Sequence, residues 1–152
     1  MNLALKVIPP VQVIICASLM LFLRYCFPQY HFSLVLSFPI TIFLIVTASI
    51  IGTLALYDFH KHKTTFHPHT PEKTSTVVDS GIYAYSRNPM YLALVLILCA
   101  LALYLKNLTC FAIIPIFIGY ITHYQIKPEE MMLDKLFPND YQAYRKKVRR
   151  WL

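Results

Sequence analysis

Residues 87–91, Arg-Asn-Pro-Met-Tyr, combine a fixed positive charge with the start signal of a helix. Asn88 precedes a proline, which pushes it out of the helical region, and Pro89 suits the first helical position. We predict that a helix begins here with Asn88 as its cap. A helix N-terminus attracts carboxylate or phosphate groups, and Arg87 can bind the same groups with two N–H donors. A plain helix cap and a topology-setting charge would also explain these residues, so both interpretations stay open.

Glu129 and Glu130 are adjacent carboxylates that follow an apolar run. Carboxylates at a membrane boundary are costly unless they are solvated or paired. They could recognise an ammonium or hydroxyl group of a ligand, or they could favour the N-terminus of a helix that Pro128 starts. If they lie opposite Arg87, one carboxylate can orient the arginine while the other faces a ligand.

Four histidines, called the histidine group below, lie between the second and third apolar runs: His60, His62, His67 and His69. Imidazole is a ligand for zinc, copper and nickel. Side chains that alternate along a loop seldom converge on one point, and no cysteine lies near these four. We therefore expect no metal, and we interpret the histidine group as interfacial side chains that contact headgroups or a cofactor.

Four apolar runs must position these groups, over residues 7–27, 32–57, 89–105 and 108–126. A helix needs about 20 residues to cross the hydrocarbon core, so three runs are long enough and the third starts in the headgroup region. The chain is 57% hydrophobic and only 14% charged, which leaves too little polar surface for a soluble domain. We predict an all-α, polytopic membrane protein with four transmembrane helices, forming a single membrane domain over residues 1–152.

The basic residues indicate the orientation of these spans. If the N-terminus faces the cytoplasm, the loop 58–88 and the interfacial tail 127–152 face it too, and only Arg24 and Lys106 lie on the other side. The positive-inside rule therefore predicts cytoplasmic termini, and we expect a bacterial inner membrane. The net charge of +7 could suit nucleic acid, but basic residues beside spans favour anionic headgroups, so we expect no nucleic-acid partner.

Lys106 and Asn107 form a very short connection between the third and fourth runs. This connection predicts an antiparallel helical hairpin, which brings the segment before Met90 beside the segment after Ile126. The two most polar stretches of the chain then meet on the cytoplasmic face. The tail, residues 140–152, is predicted to be an amphipathic basic helix that anchors the chain at the interface or covers this site.

An ordered set of motifs resembles the isoprenylcysteine carboxyl methyltransferase-like membrane enzymes, a group that includes the phospholipid methyltransferases. The set consists of Ser-Gly-Ile-Tyr at 80–83, Arg-Asn-Pro-Met-Tyr at 87–91, a helical hairpin, Glu-Glu at 129–130 and Phe-Pro-Asn-Asp-Tyr-Gln-Ala-Tyr at 137–144. The resemblance extends over residues 64–151, more than half of the chain.

The resemblance implies methyl transfer that depends on S-adenosyl-L-methionine, with the cofactor at the cytoplasmic end of the hairpin. The chemistry would rest on Arg87, Glu129 and Tyr91: the arginine and the helix N-terminus suit the methionine carboxylate, a glutamate suits the amino group or ribose, and tyrosine rings can face the sulfonium. The cofactor-lining positions that the resemblance implies are Ser75, Thr76, Val77, Val78, Tyr83, Asn88, Pro89, Met90, Tyr91, Glu129 and Glu130.

The expected acceptor is a lipid or another lipophilic small molecule, with Gln125 and Tyr144 as its candidate contacts. Asn88 stands where the family has histidine, so an amide contact replaces an imidazole contact. Gln125 stands at about the position of an arginine that the isoprenylcysteine-methylating members use for the substrate carboxylate, which argues against a prenylcysteine acid. The competing hypothesis is a non-enzymatic membrane protein, a small transporter or an assembly factor, in which Arg87 and Glu129 form a structural ion pair.

Overall fold

The computed structural model describes residues 8–61 and 77–152, and the regular elements in these ranges are helices. Shorter 3₁₀ turns cover Pro28–Tyr30, Gly81–Ala84 and Leu108–Ala112, and a π turn, Thr122–Ile126, joins α4 to α5. The all-α prediction is confirmed for the described residues. The α-helices are α1 Pro9–Cys26, α2 Ser37–Lys61, α3 Pro89–Leu105, α4 Ile113–Ile121, α5 Lys127–Leu136 and α6 Pro138–Lys147.

Three helices in the described ranges are long and apolar enough to cross a membrane, by length and composition: Pro9–Cys26, Ser37–Lys61 and the continuous stretch Leu108–Leu136. The apolar helix α3 has 17 residues, which is about 26 Å at 1.5 Å per residue. The hydrocarbon core is about 30 Å thick. The three long helices support an integral membrane protein, and a fourth crossing stays a prediction.

One end of the helix bundle is held together by a buried amide side chain. Asn107 is 1% exposed, and its Nδ2 donates to the carbonyl of Phe27 at 2.8 Å. Its Oδ1 accepts from the amide and the hydroxyl of Thr109, at 2.9 and 2.6 Å. The Phe32 amide also donates to the Lys106 carbonyl at 3.0 Å. The α1–α2 connection is therefore tied to the α3–α4 connection.

The opposite end brings together the end of α2, the start of α3 and the chain after α4. Ala55 of α2 packs in one buried cluster with Val78 and Tyr83, and Tyr91 of α3 is hydrogen-bonded to Glu129 of α5. The first four helices therefore alternate in direction, and the short α3–α4 connection predicts the antiparallel arrangement of α3 and α4. The most extensive contact of α3 is made with α2 rather than with α4. The hairpin alone does not position α3.

The second apolar run and the polar loop differ from their predicted boundaries. α2 begins at Ser37 rather than at Phe32, because the segment before Ser37 contacts the α3–α4 connection instead of forming a helical turn. It continues to Lys61, so Asp58 and His60, which were predicted to lie in the loop 58–88, are helical.

The chain after the π turn forms two helices, α5 and α6, and α6 spans Pro138–Lys147 rather than the predicted range, residues 140–152. The break falls at Phe137, whose φ of −134° and ψ of 62° lie outside the helical region. Pro138 explains this break, since the residue before a proline is disfavoured in the α conformation. Each helix can therefore present its side chains in a different direction.

The π turn before α5 follows from Pro128. Proline has no N–H, and its ring clashes with the carbonyl four residues earlier, which belongs to Tyr124. The helix widens at this point, so that the Lys127 amide donates to the Thr122 carbonyl, five residues earlier. One inserted residue rotates the following side chains by about 100° around the helix axis. The π turn therefore sets the direction in which the two glutamates of α5 point.

Candidate functional site

The start of α3 forms the centre of the candidate site. The helix begins at Pro89, and Asn88 occupies the capping position that the sequence predicts. The side chain of Asn88, however, makes no capping hydrogen bond. Its Nδ2 donates instead to the carbonyl of Arg150 at 2.9 Å. The N-terminal amides of α3 receive no acceptor from the Asn88 side chain, and the C-terminal tail of the chain is fixed beside them.

Arg87 is held through both its backbone and its side chain. Its amide donates to the Arg149 carbonyl at 3.0 Å, its Nη1 donates to the Tyr141 hydroxyl at 3.3 Å, and its Nη2 lies 3.2 Å from Glu130 Oε1. The side chain of Arg87 is 8% exposed and that of Glu130 is 11% exposed. The remaining donor, Nε, is buried and has no hydrogen-bond partner among the described residues. A buried charged donor without a partner is costly, so this nitrogen is a candidate ligand contact.

The second glutamate has a different partner. The Tyr91 hydroxyl donates to Glu129 Oε1 at 2.6 Å, and Tyr91 is 2% exposed. Glu129 forms no ion pair with any described residue. The Arg87–Glu129 ion pair of the competing hypothesis is therefore not observed, because Arg87 pairs with Glu130 instead. The two carboxyl groups therefore have different partners: Glu130 binds arginine, and Glu129 accepts a hydrogen bond from a phenol.

A tight turn before α3 carries Tyr83. Gly81 has a φ of +61°, and a side chain at this position would collide with the carboxylate of Asp58. That carboxylate lies this close because its Oδ2 accepts from the Ile82 amide at 3.0 Å. The end of α2 therefore fixes the 3₁₀ turn by a hydrogen bond, and only glycine satisfies both the backbone conformation and the available space.

Helix α6 covers this turn with two buried tyrosines. The Tyr144 hydroxyl donates to the Tyr83 carbonyl at 2.7 Å, and Tyr141 accepts from Arg87. Both rings belong to the buried cluster that contains Val78, and Val148 after α6 joins it. Of the two roles predicted for the tail, this geometry fits that of a cover over the site.

The electrostatics of the site are set by burial and by the arginines. Burial raises the pKa of Tyr83 and of Tyr144 above the ordinary range of a phenol. Burial, followed by the charge of Glu130, raises the pKa of Tyr141 to about 12, although Arg87 acts in the opposite direction. A hydrogen bond to Glu130 raises the pKa of Arg150. Near neutral pH the phenols are therefore neutral hydrogen-bonding groups.

The other predicted positions are distributed around this centre. Val77 and Val78 precede the 3₁₀ turn, and Pro89 and Met90 open α3 beside the same cluster. Gln125 lies in the π turn, before Glu129 in the chain, and is 3% exposed. Ser75 and Thr76 lie outside the described residues.

Of the histidine group, only His60 falls within the described residues, where it is exposed near the end of α2. His62, His67 and His69 lie outside them. The residues that the structure describes contain no group of three or more His, Cys, Asp or Glu side chains that could hold a metal ion.

Three side chains that hold the site together were missed by the sequence reasoning. Arg150 donates to Glu130 from Nε at 3.0 Å and from Nη2 at 2.7 Å, Tyr141 contacts Arg87, and Asp58 holds the turn at Gly81. Arg150 is one of several basic residues in the tail, and no local pattern separates it from its neighbours. Gly81 after Ser80 is a recognisable turn signal, but no local pattern indicates that Asp58 of α2 contacts this turn.

This fold and site define an all-helical membrane protein with a buried, charged site at one end of its helices. A family model for phospholipid methyltransferases matches residues 28–140. The match covers more than half of the chain, and the chain belongs to the phospholipid methyltransferase family. Membership implies a membrane methyltransferase.

A relative in Haemophilus influenzae, described as an uncharacterised protein, is 46% identical over 63 residues. The aligned region is 41% of this chain and 100% of the relative. No solved structure matches the chain.

Proposed function

We propose that this protein transfers a methyl group from S-adenosyl-L-methionine to a lipid or another lipophilic acceptor in the membrane. The observation that carries the proposal is the buried Arg87, whose Nε has no partner among the described residues, beside the Tyr91–Glu129 pair. A donor of this kind suits an anionic group of a ligand, and a carboxyl group without an arginine or lysine partner, such as that of Glu129, suits a cationic group. S-adenosyl-L-methionine carries both an α-carboxylate and an α-ammonium group.

The hydrogen-bonding groups of the side chains at this site fit the charged groups of this cofactor. Arg87 Nε and the N-terminus of α3 would bind the carboxylate, since both present N–H donors in a buried setting. Glu129 would accept from the ammonium or from a ribose hydroxyl, and Tyr91 holds the orientation of Glu129. Asn88, Pro89, Met90, Tyr83, Glu130 and residues 75–78 are the further positions that we propose to line the cofactor.

When bound, S-adenosyl-L-methionine supplies an electrophilic methyl group on a sulfonium centre. The protein contributes alignment and the exclusion of water. Arg87 and Glu129 fix the amino-acid end of the ligand, so that the reacting end is held in a single orientation. The aromatic rings of Tyr83 and Tyr91 can face a positive charge and stabilise it by cation–π attraction.

The acceptor class follows from the position of the site. Because the tail and α6 cover the start of α3, the acceptor would enter laterally from the lipid, past Gln125 and Tyr144. A carboxylate or thiolate acceptor needs no base, whereas an amine must be neutral when it reacts. The family description supports a phospholipid as the acceptor.

For the arrangement in the membrane, we propose one domain with α3 as a fourth crossing and both termini in the cytoplasm. α3 packs against α1, α2 and α4, and this packing supports a crossing of similar depth. The exposed basic residues of α6 lie at the same end as the candidate site, and the positive-inside rule assigns that end to the cytoplasm. We further propose a bacterial inner membrane as the compartment.

A non-enzymatic membrane protein is the second candidate. The Arg87–Glu130 contact supports it, because the same contact would serve as a structural lock between α3 and α5. This alternative predicts no affinity for the cofactor.

Calorimetric titration of the detergent-solubilised chain with S-adenosylhomocysteine separates the two candidates. We expect saturable binding, and we expect Arg87→Gln to weaken it by about tenfold or more, because a buried charged donor is lost. Arg145→Gln removes the same charge from an exposed position of α6 and serves as the matched control. A folded wild-type protein without detectable binding would favour the non-enzymatic candidate.

A further inference from the structure

Two arginine side chains, those of Arg87 and Arg150, share the carboxylate of Glu130 at the start of α3. Glu130 accepts from Arg150 through both oxygens, with Nε 3.0 Å from Oε1 and Nη2 2.7 Å from Oε2. Arg87 contacts the same carboxylate through one nitrogen, Nη2, which lies 3.2 Å from Oε1. Arg150 therefore makes the two-point contact, and Arg87 makes the weaker, single-point contact.

The burial of the two arginines would favour the opposite arrangement, with Arg87 making the two-point contact. The side chain of Arg87 is 8% exposed, whereas that of Arg150 is 31% exposed. The more deeply buried guanidinium has the greater need for a two-point carboxylate partner, since water cannot replace it. Arg87 nevertheless keeps a buried Nε that has no partner among the described residues. The arrangement leaves a donor free at the place where the ligand is proposed to bind.

We propose that Arg150 is a positioning residue for Arg87: by taking both oxygens of Glu130, it prevents Arg87 from closing onto that carboxylate and keeps Arg87 Nε available to an acceptor oxygen of a ligand. The identity of that ligand, the carboxylate of S-adenosyl-L-methionine, rests on the proposed function. The competition between the two arginines rests on the geometry alone. Arg150 lies beyond residues 28–140, the part of the chain that matches the family model.

The main chain around Arg150 is fixed separately from its side chain. The Arg149 carbonyl accepts from the Arg87 amide at 3.0 Å, and the Arg150 carbonyl accepts from Asn88 Nδ2 at 2.9 Å. Trp151 packs against the larger buried cluster. Deletion of the tail would remove all of these contacts together, so the proposal has to be tested by side-chain substitution within the full chain.

The direct test compares Arg150→Gln with Arg145→Gln, which removes the same charge from an exposed position of α6. We expect Arg150→Gln to weaken S-adenosylhomocysteine binding by about tenfold or more while the midpoint of thermal unfolding is unchanged or higher, because Arg87 then closes onto Glu130. Arg150→Lys is expected to fall between the two, since an ammonium is a point charge and cannot take both oxygens as a fork. Parallel losses of affinity and thermal stability would indicate a merely structural role and overturn the proposal.

A second readout does not depend on the cofactor. The chain has five arginines, so the Nε–H groups of a protein labelled with ¹⁵N-arginine give few NMR signals, and Arg87→Lys identifies the signal of Arg87. We expect Arg150→Gln to move that signal to a hydrogen-bonded position without any ligand, and we expect Arg145→Gln to leave it in place. An unmoved Arg87 signal in Arg150→Gln would refute the competition between the arginines. If the wild-type protein binds no S-adenosylhomocysteine, the proposed function fails, and this measurement still decides the role of Arg150.

Discussion

Replacing Tyr91 by phenylalanine removes one oxygen atom and leaves the aromatic ring in place. The lost hydroxyl donates to Glu129 Oε1 at 2.6 Å, and Tyr91 is 2% exposed, so no bulk water can replace it. Removing one partner of a buried hydrogen bond costs about 1–3 kcal/mol, because the acceptor that stays behind loses its donor. We therefore expect Tyr91→Phe to lower the free energy of unfolding by about 2 kcal/mol.

The same substitution should also weaken S-adenosylhomocysteine binding, because Glu129 loses the contact that orients it. Tyr104→Phe is the matched control: Tyr104 lies in the same helix, is 61% exposed, and should change the free energy of unfolding by less than about 0.5 kcal/mol. Thermal unfolding in detergent and calorimetric titration measure the two effects. If Tyr91→Phe behaves like Tyr104→Phe in both assays, the reasoning about the Tyr91–Glu129 pair is refuted.

Three further outcomes test other parts of the account. Gly81→Ala should destabilise the protein by about 2 kcal/mol or more, because it combines a positive φ with a collision against the carboxylate at the end of α2. Gly119→Ala is the control: its new methyl group meets no atom within 4 Å, so the midpoint of thermal unfolding should not fall. Asn107→Ala should lower the unfolding midpoint through its lost hydrogen bonds but leave cofactor affinity unchanged, since it lies at the opposite end of the bundle; a loss of affinity without a loss of stability would contradict this. If the histidine group contacts headgroups rather than the cofactor, its joint replacement by asparagine should leave S-adenosylhomocysteine affinity within about twofold. An abolished affinity would indicate that these side chains contact the cofactor or hold a metal.

Much of the helical architecture could be predicted because apolar runs and proline signals are local properties of the chain. The start of α3 at Pro89 follows from the Asn-Pro pair, and the short connection at Lys106 and Asn107 allows little other than an antiparallel arrangement. The start of α2 could not be predicted in the same way. Phe32 belongs to an apolar run, but its amide is used by the Lys106 carbonyl, a partner that only the tertiary fold supplies.

The internal arrangement of the candidate site was less accessible from the sequence. The pairing of Glu130 with Arg150 depends on the path of α6, which in turn depends on the packing of its tyrosines against the 3₁₀ turn. The direction of the glutamates depends on the π turn that Pro128 imposes. The side chain of Asn88 is diverted from capping by a carbonyl near the C-terminus. Each of these features joins segments that are distant in the chain, and no local pattern encodes it.

Transfer of a labelled methyl group is the most direct test of the central claim. Membranes that contain the full chain would be incubated with S-adenosyl-L-methionine carrying a radioactive methyl group, and the label would be counted in the organic extract. We expect label in a lipid-soluble product from the wild-type protein and from Arg145→Gln, and background counts from Arg87→Gln. Background counts from folded wild-type protein, across membranes that offer amine, acid and thiol acceptors, would contradict the account.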